Sequence, residues 1–189
     1  LDRTRPPDGD SIRLIASAIG GWATFGNTPL AAEVRRATIL AENRDVLAVV
    51  GPGGSREALQ VAPIYAAAGV PHLVPTATSR LLKDSPSAML LLAADDSVQG
   101  DFIAAFADSV LGARRLAIFY VPDEYGIGLA AGTEHGARRR GATVLAREPV
   151  RLTQDCVEGA RRAGEAFYDG AIAAVAARGE PDAVVFAVR

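Results

Sequence analysis

The sequence predicts an α/β fold in which mostly parallel sheets are covered by helices on both faces. Short apolar runs rich in β-branched residues alternate with stretches of helical length, which is the pattern of repeated strand–helix units. Polar or glycine-rich loops follow several predicted strands, where open sheets of this kind bind ligands. The composition is that of a globular chain, since 49% of the 189 residues are apolar and the net charge is −2.

The first half of the chain contains the best-marked strand–helix units. A helix is predicted to begin at Thr28, its N-cap, with Pro29 at the first helical position. A strand at residues 46–50 follows, and then a helix that starts at Ser55 and ends at Gly69. The other elements predicted here are an irregular lead-in over residues 1–11, a strand at 12–16, and short strands at 70–75 and 89–93.

The second half repeats the alternation. Asp96 is expected to cap a helix that turns Phe102, Ala105, Phe106 and Val110 toward the core. Residues 154–178 have a helical pattern interrupted by glycines, which predicts two helices with a bend. The other elements predicted here are strands at 116–121, 143–150 and 182–188, and a helix to about residue 140.

Composition excludes several functional classes. The sequence lacks the excess of basic residues that would indicate a nucleic-acid partner. No apolar run approaches the roughly 20 residues of a membrane-spanning helix. The chain begins at Leu1 rather than Met, which allows a signal or lipid-anchor segment that has been removed. Cys156 is the single cysteine, so no internal disulfide can form, and we interpret it as a buried apolar residue rather than a nucleophile.

Residues 46–60 (VLAVVGPGGSREALQ) form the stretch around which the rest is organised. An apolar strand enters a turn rich in glycine and proline, and Ser55 then opens a helix. This order brings unpaired backbone amides and the Ser55 hydroxyl to one point, which attracts carboxylates and phosphates. We therefore expect the turn to hold the anionic end of a small ligand. The alternative is a plain strand-to-helix turn with a serine N-cap.

Enzyme motifs are incomplete at this turn. A dinucleotide fingerprint would need a glycine where Arg56 stands, and a nucleophile elbow would need one in place of Glu57. A P-loop would need a lysine next to Ser55. We interpret Asp95 and Asp96 as helix-capping residues rather than as an acid–base pair. The sequence therefore predicts no catalysis, no cofactor and no metal site.

Two further loops follow predicted strands. Residues 51–55, 75–79 and 121–126 are all polar and rich in glycine or hydroxyl side chains, so we expect them to share a cleft. His72, which lies in an apolar strand, is interpreted as a core histidine rather than a ligand. Trp22 and Phe25 either line the mouth of such a cleft or pack within their loop.

A family resemblance rests on a series of landmarks. The chain carries, in this order, VVGPGGS (49–55), APIYAAAGVP (62–71), PTATS (75–79), ADDSVQG (94–100) and DEYGIG (123–128). Together they resemble the extracytoplasmic solute-binding proteins of branched-chain amino acid ABC transporters, of the leucine/isoleucine/valine-binding type. The resemblance covers roughly residues 28–150. It is less specific for the ligand, because members bind amino acids, amides, and aromatic or short organic acids.

The resemblance implies a type I periplasmic-binding fold with two Rossmann-like lobes that close on a ligand. Residues 1–94 would form the N-terminal lobe and residues 95–189 the C-terminal lobe. Family members begin with a further strand and helix, and they supply an acidic residue for the ligand ammonium at a position beyond Arg189. We therefore expect the chain to represent the family incompletely, with its first strand and helix missing and the C-terminal lobe unfinished.

The resemblance also implies the ligand contacts. Ser55 and the backbone of Gly54 would grip the ligand carboxylate. Thr78 and the backbone around Thr76 and Ala77 would contact the α-amino and carboxylate groups. The tyrosine at position 125 would close over the ligand from the other lobe.

The function that follows is that of an extracytoplasmic solute-binding protein, periplasmic or extracellular. It would bind an amino acid or related small carboxylate in the cleft between the lobes and deliver it to an ABC transporter permease. It would touch the membrane only through a removed lipid anchor. The alternative is a sensory or regulatory ligand-binding domain of the same fold, and a Rossmann-like enzyme is the third hypothesis. A secretion signal upstream would favour the first, a downstream transmembrane or output domain the second, and turnover lost in Ser55→Ala the third.

Overall fold

The computed structural model describes residues 30–85, 89–150 and 164–188, with side chains of the last range described from residue 169. The chain divides into two compact units, the first ending at Ala94 and the second beginning at Asp95. The predicted strand at 12–16, the capping pair Thr28 and Pro29, and the residues Trp22, Phe25 and Cys156 lie outside the described residues.

The first unit is a three-stranded parallel sheet with helices between its strands. The strand order is β1-β2-β3, and Val49 pairs with His72, which in turn pairs with Met89. The elements are α1 (Leu30–Glu42), β1 (Val49–Val50), α2 (Ser55–Ala68), β2 (His72–Val74), a 3₁₀ turn (Arg80–Asp84) and β3 (Met89–Leu91).

The core of the first unit joins both helices to the first strand. Ala37 and Leu40 of α1, Val49 of β1, and Val61 and Tyr65 of α2 form one buried cluster. The apolar face of each helix is thereby removed from water, which is the main driving force for their packing. This packing fixes α2 behind the carboxyl end of β1.

The second unit is also a three-stranded parallel sheet, with the order β5-β4-β6. Its central strand is buried on both faces. Leu116 packs with Ala137 of α4, whereas Phe119 on the opposite face packs with Val175 of α5. The elements are α3 (Asp96–Ser109), β4 (Arg115–Tyr120), α4 (Glu124–Arg139), β5 (Thr143–Pro149), α5 (Gly164–Ala176) and β6 (Ala183–Ala187). The predicted α/β class with parallel sheets is confirmed.

The inward face predicted for α3 is wrong. Phe102 is 71% exposed and Val110 is 64% exposed, whereas the buried positions of the helix include Gly100 and Ala104. The helix packs through its small residues because α4 approaches it closely: a Cβ on Gly132 would lie 2.6 Å from the carbonyl oxygen of Asp96. Two helix backbones can come this near only where side chains are absent.

Other boundaries also differ from the prediction. The strand expected at residues 46–50 is reduced to Val49–Val50. The helix α5 continues through Gly170 without the expected break. The predicted stop at Gly69 is confirmed, since this residue has φ 67° in the left-handed region that ends many helices.

The arginines at the end of α4 make ion pairs with α3. A nitrogen of Arg139 lies 2.6 Å from Asp101 of α3, and a nitrogen of Arg140 lies 2.7 Å from the same carboxylate. Hydrogen bonds from Arg140 and Arg139 hold the pKa of the Asp101 carboxyl well below its usual range. The pairs tie the carboxyl end of α4 to Asp101 within α3.

Candidate functional site

The loops after β1 and β2 lie at the same edge of the first sheet. The two strands are parallel neighbours, with Val50 opposite Leu73, so residues 51–55 and 75–79 leave the sheet side by side. Ligands of open α/β sheets bind at this edge. We call these two loops together the binding corner.

The helix α2 begins within the binding corner. Its N-cap is Gly54 rather than Ser55, with an extended backbone and no side-chain capping bond. The first helical hydrogen bond runs from the amide of Ala58 to the carbonyl of Gly54, across 2.9 Å. The three preceding amides, those of Ser55, Arg56 and Glu57, therefore have no partner within the helix. Together with the helix dipole they favour a negative charge.

Three hydrogen bonds join the two loops. The Ser55 hydroxyl oxygen accepts the amides of Thr78 and Ser79, across 3.3 Å and 3.2 Å. The Thr76 hydroxyl donates to the carbonyl of Gly53 across 2.9 Å. The structure thus brings together the predicted residues Ser55, Thr76 and Thr78, with Gly54 and Ala77 beside them in the same loops.

Burial separates these residues into two groups. Ser55 is 0% exposed, Ala77 is 1% and Thr78 is 5%. Thr76 is exposed and Gly54 is partly buried. In this conformation a ligand can reach the Thr76 side chain and the Gly54 backbone, whereas the Ser55 hydroxyl lies beneath the surface and links the loops.

His72 lies under the binding corner and was not among the predicted site residues. Its Nε2 is 2.6 Å from the carbonyl oxygen of Gly51. Since a carbonyl only accepts, Nε2 carries the proton. Burial lowers the pKa of His72, and its hydrogen bond to Gly51 opposes that change. The interpretation of His72 as a core residue is confirmed, because it is 0% exposed.

Tyr125 belongs to the second unit, in the first turn of α4. It is partly buried and packs on a cluster that includes Ile118 and Leu129. The helix begins at Glu124, so the loop predicted over residues 121–126 is shorter than expected. Gly126 is required here, since a Cβ would lie 2.1 Å from the carbonyl oxygen of Val121.

Capping explains Asp95, as predicted, but the prediction that Asp96 caps α3 is wrong, because Asp96 is the first helical residue and is fully buried. One carboxylate oxygen of Asp95 accepts the amides of Ser97 and Val98 across 2.8 Å and 3.1 Å. Within the described ranges, no group of three or more histidine, cysteine or acidic residues could hold a metal ion. None of the helices in those ranges combines the length and apolar character that crossing a bilayer requires.

Each unit is a parallel α/β module, and the amides at the start of α2 suit an anionic ligand. A family model described as "Receptor family ligand binding region" matches residues 25–186. The chain belongs to this family, which confirms the predicted fold.

Solved structures share the fold. A leucine binding protein from Thermotoga maritima has a TM-score of 0.68 at 22% identity, covering 84% of this chain and 42% of its own. An ABC transporter substrate-binding protein from Desulfitobacterium hafniense, in complex with leucine, has 0.63 at 22%, covering 84% and 52%. A solute binding protein of an ABC transporter from Rhodopseudomonas palustris, in complex with p-hydroxybenzoic acid, has 0.71 at 16%, covering 93% and 49%.

This chain therefore spans about half the length of the proteins whose structures it matches. No curated protein matches it by sequence.

Proposed function

We propose that the chain is part of an extracytoplasmic solute-binding protein that captures an amino acid or related small carboxylate for an ABC transporter permease. The observation that carries the proposal is the binding corner. The amides at the start of α2 that have no helical partner lie in the same corner as the exposed Thr76. The chain that carries them belongs to a family of ligand-binding regions. Structural relatives that bind leucine and p-hydroxybenzoic acid support a carboxylate ligand.

The chemistry of the corner suits a carboxylate better than a neutral group. Backbone amides at a helix N-terminus donate hydrogen bonds to an anion, although they carry no formal charge themselves. The Thr76 hydroxyl already donates to Gly53, so its remaining lone pairs can accept from a ligand ammonium. We further propose that Ser55, Gly54, Thr76, Ala77 and Thr78 form the ligand site of an N-terminal lobe that ends at Ala94. Thr76 and the backbone amides at the start of α2 would contact the ligand, while the buried Ser55 hydroxyl holds the two loops together. The second unit would be the C-terminal lobe and supply Tyr125.

The affinity expected of this chain is low. Each charge-assisted hydrogen bond contributes about 1.5–3 kcal/mol, so three from the corner give roughly 5–9 kcal/mol. Immobilising a ligand costs several kcal/mol, which leaves dissociation constants on the order of millimolar. A binding experiment must therefore reach that concentration.

The test is an amide-resolved NMR titration of the full chain with L-leucine and with p-hydroxybenzoate. Each probe is paired with its neutral amide, L-leucinamide or p-hydroxybenzamide. We expect at least one carboxylate to shift the amides of residues 53–57, and its amide counterpart to bind at least about tenfold more weakly. Equal binding of acid and amide, or shifts elsewhere in the chain, would contradict the proposed site.

A threonine pair provides the matched variants. Thr76→Val removes the exposed hydroxyl of the binding corner and should weaken binding of L-leucine, the probe that carries an ammonium, by about 1–3 kcal/mol. Thr143→Val makes the same change at an exposed position on β5 and should leave binding unchanged. If both variants bind the probe like the parent chain, Thr76 does not contact the ligand.

A sensory or regulatory ligand-binding domain is the second candidate, favoured by the receptor description of the family. The binding corner serves either role, because both need a reversible ligand site. The sequence of the gene downstream distinguishes them: a transmembrane or output domain would favour sensing.

A further inference from the structure

Gly51 begins the first loop of the binding corner. Both its amide and its carbonyl form hydrogen bonds to residues of β2. Its amide donates to the carbonyl of Leu73 across 2.8 Å. Its carbonyl accepts from His72 across 2.6 Å. Gly51 has φ 97°, a conformation that side chains disfavour, so the direction of the chain toward Gly53 depends on this one glycine.

His72 itself has little freedom to move. It is fully buried in the central strand of the sheet, paired in register with Val49 on one side and Met89 on the other. The ring of Tyr65 packs against it, with centroids 4.9 Å apart. The imidazole therefore presents Nε2 to Gly51 from a fixed position.

The second ring nitrogen sets the protonation state. Within the described part of the chain, Nδ1 of His72 is buried without a hydrogen-bond partner. A charged imidazolium would carry a second N–H donor at that position with no acceptor, which is costly in a buried site. This geometry favours the neutral ring with its proton on Nε2.

We propose that His72 is a positioning residue of the binding corner: its neutral Nε2–H form fixes the Gly51 carbonyl and so aims the amides at the start of α2 toward the ligand. The inference deepens the proposed function and rests on it, because it gives the buried histidine a role in the same site. A histidine serves here because Nε2 reaches across from β2 to the loop after β1 while the rest of the ring stays in the core.

The surroundings of His72 favour the neutral ring. The elements packed around His72 contribute the non-ionisable neighbours Val49 and Met89, and Tyr65, whose pKa is raised to about 12 by burial and by the charge of Glu33. Glu33 is paired with Arg36 of the same helix across 2.7 Å. Burial lowers the pKa of His72, so the neutral form extends below the usual range.

The first experiment determines the protonation state of the His72 ring. Long-range ¹H–¹⁵N correlation spectra of the full chain identify which ring nitrogen carries the proton, from pH 8 down to pH 5. We expect the neutral ring to carry its proton on Nε2 and to become charged only below the usual range of a histidine, with the exposed His135 as the second signal in the same spectra. A proton on Nδ1, or a His72 ring that becomes charged well above pH 6, would overturn the inference.

The second experiment separates positioning from core packing. His72→Gln places an amide donor near the position of Nε2, whereas His72→Asn is polar too but too short to reach Gly51. We expect His72→Gln to bind the carboxylate probe within about threefold of the parent, and His72→Asn about tenfold or more weakly with faster hydrogen exchange at residues 53–57. Equal binding and exchange in the two variants would overturn the inference.

Failure of the proposed function has a different signature. If the parent chain binds neither L-leucine nor p-hydroxybenzoate, the ligand assignment fails. The ring-nitrogen spectra and the exchange rates at residues 53–57 still decide whether His72 holds the loop.

Discussion

The backbone amide of Thr78 donates a hydrogen bond to the side-chain oxygen of Ser55, with the two atoms 3.3 Å apart. The same oxygen accepts the amide of Ser79. A fully buried hydroxyl thereby fastens the loop after β2 to the first residue of α2. Ser55 has a structural role in the binding corner in addition to its proposed ligand contact.

The first prediction concerns this serine. Ser55→Ala removes the acceptor of two amides in a buried place, so the free energy of unfolding should fall by about 1–3 kcal/mol. Urea unfolding followed by circular dichroism measures the change. Ser109→Ala, at an exposed serine of α3, is the control and should stay within about 0.5 kcal/mol of the parent. If Ser55→Ala and Ser109→Ala are equally stable, the hydrogen bonds accepted by Ser55 do not contribute to the free energy of unfolding.

The binding corner was largely predictable because its signals are local. A strand, a glycine-rich turn and a helix start follow one another at residues 46–60, and two parallel strands must end at one edge. The cap position was not predictable, since the choice between Gly54 and Ser55 depends on the backbone angles of one residue. The bond from His72 to Gly51 was missed because it joins β2 to the loop after β1, 21 residues away in sequence.

The second prediction tests the close approach of α3 and α4. Gly132→Ala would place a methyl group 2.6 Å from the carbonyl oxygen of Asp96 and 3.0 Å from the Cα of Ser97. Backbone atoms cannot yield easily, so the variant should lose at least about 1–3 kcal/mol of unfolding free energy. The helices must separate to accept it.

Gly170→Ala is the matched control, because a Cβ at this helical glycine meets nothing within 4 Å. Alanine has a higher helix propensity than glycine, so the free energy of unfolding of this variant should rise by about 0.5–1 kcal/mol. Both substitutions change helix propensity equally. The difference between their free energies of unfolding therefore measures the contact between α3 and α4. Comparable stability of the two variants would show that the helices are less closely packed than described.

The same contact explains why the face of α3 was mispredicted. Apolar periodicity selected Phe102 and Phe106, the two largest apolar residues of the helix, together with Val110 just beyond its end. The helix instead buries Gly100 and Ala104, since the partner helix carries glycines at matching positions. Sequence periodicity ranks residues by hydrophobicity, whereas close helix packing selects them by size.

The third prediction is a late titration of Tyr65. Burial and the nearby charge of Glu33 raise its pKa to about 12 from an ordinary value near 10. The neutral phenol is the form that the fold favours, so this contribution to stability is complete below about pH 10 and is lost as the pH rises to about 12. Tyrosinate absorbance of the folded chain should contain a late component from Tyr65 that appears only near pH 12.

Two variants assign that signal. Tyr65→Phe should abolish the late component. Glu33→Gln should shift it only slightly to lower pH, because burial is the larger of the two causes. If Tyr65→Phe leaves the late component in place, another tyrosine is responsible.

The fourth prediction concerns the start of α4, next to Tyr125. The carboxylate of Asp123 accepts the amide of Gly126 across 2.7 Å and so satisfies one of the open donors of the first turn. Asp123→Ala should lower the free energy of unfolding by about 0.5–2 kcal/mol and move the amide resonance of Gly126. Asp123→Ser keeps an acceptor oxygen at the cap and should recover most of the loss. A serine variant as unstable as the alanine variant would mean that the negative charge near the helix dipole, rather than the hydrogen bond, stabilises this end of the helix.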